Sequence, residues 1–121
     1  MTETTRKLAA IMFTDIVGYS RIMSLNEAKG LNLLDQHDKI LQQAIEKNNG
    51  NILKKMGDAV LAEFNSSVNA VNCAIDIQVA LKNFNEDKPS DDKIIIRIGI
   101  CKTLSWFSNN SWYTIYIHKG S

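Results

Sequence analysis

From Lys7 to Ile100 the chain alternates short apolar runs with long stretches of helical period, in an order that few folds accommodate. Lys7 to Ile16 (KLAAIMFTDI) is a mostly apolar run closed by a turn, the pattern of a buried strand. Val17-Gly18-Tyr19-Ser20 follows, where Gly18 permits a sharp turn and Ser20 is placed to cap a helix. From Arg21 to Asn48, apolar residues Leu31, Leu34, Leu41, Ala44 and Ile45 fall at helical spacing, and Asn48-Asn49-Gly50 supplies a stop. Asn51 to Met56 and Ala59 to Phe64 predict two short strands, joined by Gly57-Asp58 as a tight hairpin. Ser66 or Ser67 then caps a helix through Phe84, with Val68, Val71, Ala74, Ile75 and Leu81 on one face. Asn85 to Asp92 holds the only proline, Pro89, and reads as a loop. Lys93 to Ile100 (KIIIRIGI) is a last strand, interrupted by Arg97.

The order β-α-β-β-α-β predicts an α+β, ferredoxin-like fold, a four-stranded antiparallel sheet with two helices on one face. Residues 1–100 complete that unit, and residues 101–121 read as a divergent tail. All thirteen acidic residues lie at or before Asp92, whereas Trp106, Trp112, Tyr113 and Tyr116 all follow Gly99. Trp112 to Ile117 has the aromatic and β-branched content of a short strand. So abrupt a change of composition points to a shifted reading frame or a truncation.

Charge and length exclude several functions. A net charge of +1 over 121 residues offers no basic field for nucleic acid or an anionic membrane. An RNA-binding ferredoxin-like module would also need exposed aromatic pairs that these strands lack. The apolar run Leu8 to Phe13 is too short to span a bilayer, and Asp15 and a Gly turn stand where a signal-peptide cleavage site would be. Cys73 and Cys101 make neither a disulfide scaffold nor a zinc cluster. The expectation is a cytoplasmic domain without a membrane segment. His37, between Leu34 and Leu41, reads as a packing or polar-edge residue, and Cys73 as an inert buried thiol.

Two acidic residues carry the chemistry. Asp15 ends the first strand, and Asp58 sits in the hairpin between the second and third. The topology makes the first and third strands neighbours, so both carboxylates reach one edge of the sheet. Paired carboxylates suit Mg²⁺, which takes one or two protein oxygens and completes its shell with water and phosphate. Two such ions can activate an attacking hydroxyl and stabilise the leaving oxygen of a phosphoryl displacement. Just after Asp15, the backbone from Ile16 to Ser20 turns into a helix, whose amides favour phosphate. Each aspartate alone is an ordinary turn residue; together they point to nucleoside-triphosphate chemistry.

The segments FTDIVGYS, LKKMGDAVLAEF and IRIGI resemble the class III nucleotidyl cyclase catalytic domain, the adenylate/guanylate cyclase family in its bacterial form. The likeness runs from about Arg6 to Ile100. It implies a ferredoxin-like core with extra C-terminal strands, acting as a homodimer, or as a heterodimer with another cyclase domain, with nucleotide between the subunits. The implied reaction turns ATP, or GTP, into the 3′,5′-cyclic nucleotide and pyrophosphate, using two Mg²⁺ or Mn²⁺ ions. By the same resemblance Asp15 and Asp58 are the catalytic metal carboxylates, and the Ile16 carbonyl reaches one ion. Ile16, Val17, Gly18, Tyr19 and Ser20 wrap the triphosphate, with Met56 and Gly57 flanking the nucleotide. Lys54 matches the base-reading lysine of adenylate cyclases, where guanylate cyclases place Glu, so ATP is favoured over GTP. Arg97 falls at a phosphate-contacting arginine. The physics agrees for Lys54, which can donate to the accepting N1 of adenine but not to the protonated N1 of guanine.

The likeness stops at Cys101-Lys102-Thr103, where the family continues with His or Asn, a small residue and Gly. The later base-reading Asp or Thr, and an Asn-x-x-x-Arg that holds ribose and transition-state phosphates, have no counterparts. The resemblance therefore implies a cyclase domain whose own activity is weak or absent. The alternative is a non-catalytic remnant that binds Mg-nucleotide, or dimerises with an intact cyclase and regulates it.

Overall fold

A computed structural model describes the backbone of residues 5–108 and 111–117 and the side chains of residues 9–102. The side chains of Trp106, Trp112, Tyr113 and Tyr116, and His118 altogether, lie outside the described residues. The elements are β1 (Thr5–Ile16), α1 (Tyr19–Leu25), α2 (Glu27–Lys47), β2 (Asn51–Met56), β3 (Ala59–Phe64), α3 (Ser67–Asn85), β4 (Ile96–Ser108) and β5 (Ser111–Ile117). A single 3₁₀ turn, Ser90–Asp92, lies between α3 and β4. The sheet runs β2-β3-β1-β4-β5 with every neighbouring pair antiparallel. Its first four strands are the ferredoxin-like core expected from the sequence. β5 adds a fifth strand, where Trp112 to Ile117 had suggested one.

The expected single helix from Arg21 to Asn48 is two helices. Asn26 adopts an extended backbone (φ −158°, ψ 96°), and its side chain accepts a hydrogen bond from the Lys29 amide at 3.1 Å. An Asn that bonds its own downstream backbone competes with helix continuation and restarts the helix behind it. Ser20 caps nothing: Gly18, at φ +73°, is the residue before α1, and Ser20 lies inside the helix. The break also resets the phase. α2 buries Leu33, His37, Leu41, Ala44 and Ile45, while Leu31 turns outward.

The stop behaves as expected, with Asn49 in the left-handed region (φ 59°) and the Gly50 amide bonded to the Ile45 carbonyl at 2.8 Å. Gly50 matters for space: a Cβ there would lie within 3.0 Å of the buried Phe64 ring.

On α3, Ser66 caps as expected, accepting from the Asn69 amide at 3.1 Å. Of the expected face only Leu81, and in part Ala74, packs against the core. The helix buries Ala70, Cys73, Ile77 and Leu81, and exposes Val68, Val71 and Ile75, with Ala74 only half-buried. Small Ala70 and Cys73 let the helix approach the sheet closely, which the bulkier stripe would not. The unused stripe joins Ile98 and Ile100 of β4 in an open apolar groove of about 520 Å³.

The last expected strand, Lys93 to Ile100, starts later and ends later. The segment before β4 is tied by Asn85, whose side chain accepts from the Ile94 amide (2.7 Å) and donates to the Ile94 carbonyl (2.8 Å). β4 then runs beside β1 through Ile100 and onward, from Ile96 opposite Ile16 to Phe107 opposite Thr5, without a break in register.

Candidate active site

The sheet's period of two sorts the chemistry to its uncovered face. In β1, Met12, Thr14 and Ile16 point to the helices and are buried, whereas Phe13 and Asp15 point to the open side. Register continues the pattern across the strands. Lys54 pairs with Leu61, Leu61 with Phe13, and Phe13 with Gly99. One step further along, Asp15 pairs with Arg97. The result is a shallow groove of about 520 Å³ on the open face, with Phe13, Asp15, Met56, Leu61, Arg97 and Gly99 among its walls.

Asp15 and Arg97 form a two-point ion pair, Nε to Oδ1 at 2.8 Å and Nη2 to Oδ2 at 3.1 Å. The carboxylate holds the guanidinium pKa above its ordinary value, through the hydrogen bond first and charge attraction second. The resemblance sets Arg97 at a phosphate-contacting position; here the anion it meets is the chain's own Asp15.

Asp58 approaches the same place from the hairpin. Its Oδ2 accepts the Ile16 amide at 2.9 Å, so the turn carboxylate is fastened to the residue directly after Asp15. Gly57 makes this turn possible with φ +58°, in the left-handed region. Among the described residues, no group of three or more His, Cys, Asp or Glu could hold a metal as a closed cage. Two carboxylates and a nearby main-chain carbonyl nonetheless fit Mg²⁺ or Mn²⁺ bound partly through substrate phosphates, because that ion keeps most of its shell for water and phosphate.

The other expected residues are not all gathered there. Val17 and Gly18 line a separate cleft of about 320 Å³, with Arg21, Lys29 and Lys93, between α1, the start of α2 and the segment before β4. The Val17 amide is spent on the Ile95 carbonyl at 2.8 Å. Tyr19 packs half-buried against the core, and Ser20 is exposed. The amides of the first turn of α1 lack intrahelical acceptors, as at any helix start. Lys54 is exposed on the edge strand, just past a bulge at Leu53. Cys73 is fully buried, and burial pushes its thiol up to about 11, so it is inert as expected.

His37, expected as a packing or polar-edge residue, packs in the interior. It is completely buried, with Nδ1 2.9 Å from Asp38 Oδ1 and Nε2 without a partner among the described residues. Burial pushes its pKa below the usual 6.5, partly opposed by the hydrogen bond and charge of Asp38, with Lys55 lowering and Asp58 raising it further. A depressed histidine contributes its full stability above the unfolded value near 6.5 and loses it as pH falls toward the folded value. Wild type should therefore show a urea midpoint that falls as pH drops below about 6.5, and a His37→Leu variant should lack that fall. Parallel pH profiles for the two would refute the assignment.

The geometry is that of an α+β domain with an acidic strand end and an acidic hairpin brought to one sheet edge. Residues 1–104 match the family described as the adenylate and guanylate cyclase catalytic domain, and the chain belongs to it. A Rhizobium meliloti (strain 1021) protein provisionally named adenylate cyclase 3 is 43% identical over 96 residues, 78% of this chain but 16% of that protein. The serine/threonine-protein kinase pkn2 of Myxococcus xanthus is 30% identical over 89 residues, 73% of this chain and 11% of that protein. Among solved structures, an adenylate/guanylate cyclase/hydrolase from Silicibacter pomeroyi superposes with a TM-score of 0.76 at 34% identity, covering 92% of this chain and 65% of that one. The chain thus spans a small fraction of its curated relatives and about two-thirds of the solved structure. Among the described residues, no helix is long and apolar enough to cross a membrane.

Proposed function

We propose that the chain binds ATP with Mg²⁺ or Mn²⁺ as a purine nucleotide cyclase domain, and that its reaction is ATP to 3′,5′-cyclic AMP and pyrophosphate. The observation that carries this is the Asp58 Oδ2 bond to the Ile16 amide, which sets the hairpin carboxylate beside Asp15. Asp15, Asp58 and the Ile16 carbonyl would hold the two ions. When bound, the ions supply an activated 3′-hydroxyl and charge neutralisation of the leaving pyrophosphate. The first-turn amides from Gly18 to Ser20 would hold phosphate oxygens, as free helix-start donors do. Arg97 would hold phosphate as well, exchanging its Asp15 partner for the substrate's anion. Lys54, on the open face in the Leu61 row, would donate to adenine N1, with Met56 against the ring.

Two copies, or this chain and another cyclase domain, would enclose the nucleotide between open sheet faces. Activity of this chain alone should be low. Residues 98–121 contain no Arg, so this stretch by itself supplies no Asn-x-x-x-Arg. Losing one transition-state donor typically costs about 10²–10³ in rate. The same feature favours a second reading, a nucleotide-binding module that pairs with and regulates an intact cyclase.

The base-reading role predicts a specific reversal. Lys54→Glu should move the binding preference from Mn-ATP to Mn-GTP by about 10–100-fold, the worth of a charged hydrogen bond. Competition between the two nucleotides, with cyclic AMP and cyclic GMP assayed alongside, measures it. An unchanged preference would remove Lys54 from the site.

A further inference from the structure

The β2–β3 turn that carries Asp58 has little apolar burial to hold it. β2 is the outermost strand on its side of the sheet, and all six of its residues are exposed. A polar chain from the interior of α2 reaches the turn instead. His37 Nδ1 donates to Asp38 Oδ1 at 2.9 Å. The second oxygen of that carboxylate, Oδ2, lies 3.1 Å from Lys55 Nζ. Lys55 Nζ in turn donates to the Gly57 carbonyl at 2.8 Å. The next residue is Asp58, pinned on its other side to Ile16.

We propose that His37, Asp38 and Lys55 form a positioning relay that fixes the Gly57-Asp58 turn, and with it the Asp58 carboxylate, for metal-nucleotide binding. The inference rests on reading Asp58 as a metal carboxylate. Three features support it beyond the distances. Both oxygens of Asp38 are engaged by different elements, so its carboxylate cannot rotate without breaking one contact. Lys55 lies opposite Val60, on the helix-covered side of the sheet, while Lys54 faces the groove, so adjacent lysines have separate tasks. Finally, His37 leaves Nε2 buried without a partner among the described residues, a cost that a leucine filling the same space would avoid. An imidazole N–H that orients Asp38 is what the cost secures. Thr14 Oγ1, the other buried side-chain atom without a partner among the described residues, lies in the same cross-strand row as Val60 and Lys55.

The test compares wild type with Asp38→Asn, Lys55→Met and Lys55→Arg. Asp38→Asn keeps an oxygen for His37 but ends the ion pair. Lys55→Met keeps the stem and removes the donor, and Lys55→Arg can still reach both acceptors. Lys55 is part-exposed and lies on the edge strand outside the apolar core, so its substitution leaves the core packing in place. Backbone ¹⁵N order parameters at Gly57 and Asp58 should be near 0.85 in wild type and Lys55→Arg, and fall below about 0.6 in the other two. Ala62, in the core of β3, should stay rigid in all four. Mn-ATP affinity should fall roughly tenfold in Asp38→Asn and Lys55→Met and be retained in Lys55→Arg, a difference of about 1.4 kcal/mol. A turn that stays rigid in Lys55→Met overturns the relay whatever happens to nucleotide affinity. A turn that loosens with affinity unchanged overturns its link to the site. If wild type binds no Mn-ATP, the functional reading of Asp58 fails, and the order parameters alone decide the relay.

Discussion

Replacing Asp15 with Asn is expected to abolish metal-dependent ATP binding while leaving the domain folded. Asn keeps the shape of the side chain and loses the charge that attracts cations. Affinity for Mn-ATP should fall by at least about 100-fold, because in the proposed site the carboxylate would act on nucleotide through a divalent ion that supplies several kcal/mol. Stability without metal is a balance of two opposed terms. The variant loses the Asp15–Arg97 ion pair, but that pair is solvent-exposed and screened, so little is lost. It also relieves repulsion between two carboxylates held near Ile16, which favours the variant. The urea midpoint in chelator should therefore barely move. A strongly destabilised Asp15→Asn that still binds Mn-ATP would mean that Asp15 is architecture.

Truncating Phe64 should be the most damaging change to the fold itself. Phe64 closes β3, is 1% exposed, and its ring lies over Gly50, where the chain leaves α2 for the hairpin. Phe64→Ala should cost about 3–5 kcal/mol by lost burial and the cavity left behind. That is a large part of the roughly 5–15 kcal/mol available to a domain. Gly50→Ala attacks the same contact from the other side and should cost about 1–3 kcal/mol through overpacking. The two changes are coupled through one space. Adding Phe64→Leu to Gly50→Ala should therefore recover part of the loss. Urea midpoints of the three variants measure this, and a Phe64→Ala cost below about 1 kcal/mol would contradict the packing described.

What the sequence made legible follows from how strongly each signal was punctuated. β2 and β3 were readable to the residue, since Gly57-Asp58 cuts two apolar runs where only a tight turn fits. The helix break was masked because Asn26 sits inside a continuous helical period, although Asn followed by Glu27 is itself a cap signal. The face of α3 was not legible at all. Val68, Val71, Ile75 and Val79 form one apolar stripe, Ala70, Cys73, Ile77 and Leu81 another, and periodicity cannot choose between them. Packing chose the stripe with the smaller side chains, since only that one lets the helix settle on the sheet. The end of β4 was obscured by the composition change at Cys101, to which the backbone ladder is indifferent.

The site was half legible for the same reasons. Asp15 and Asp58 could be brought together because topology alone makes β1 and β3 neighbours. Arg97's partner could not, because direct pairing across β1 and β4 depends on register, and register is set by packing between residues 82 apart. His37 looked like filler since a helix period cannot reveal that the ring reaches its own neighbour Asp38, nor that Asp38 then reaches Lys55 on a different strand.

The central claim is that Asp15 and Asp58 bind nucleotide through a divalent cation. Calorimetric titration of ATP into this chain, once with Mn²⁺ and once with excess chelator, tests it most directly. The proposed site predicts saturable binding with Mn²⁺ and at least a 100-fold weaker interaction in chelator, on the order of 2.7 kcal/mol. Equal affinity in the two conditions would contradict it.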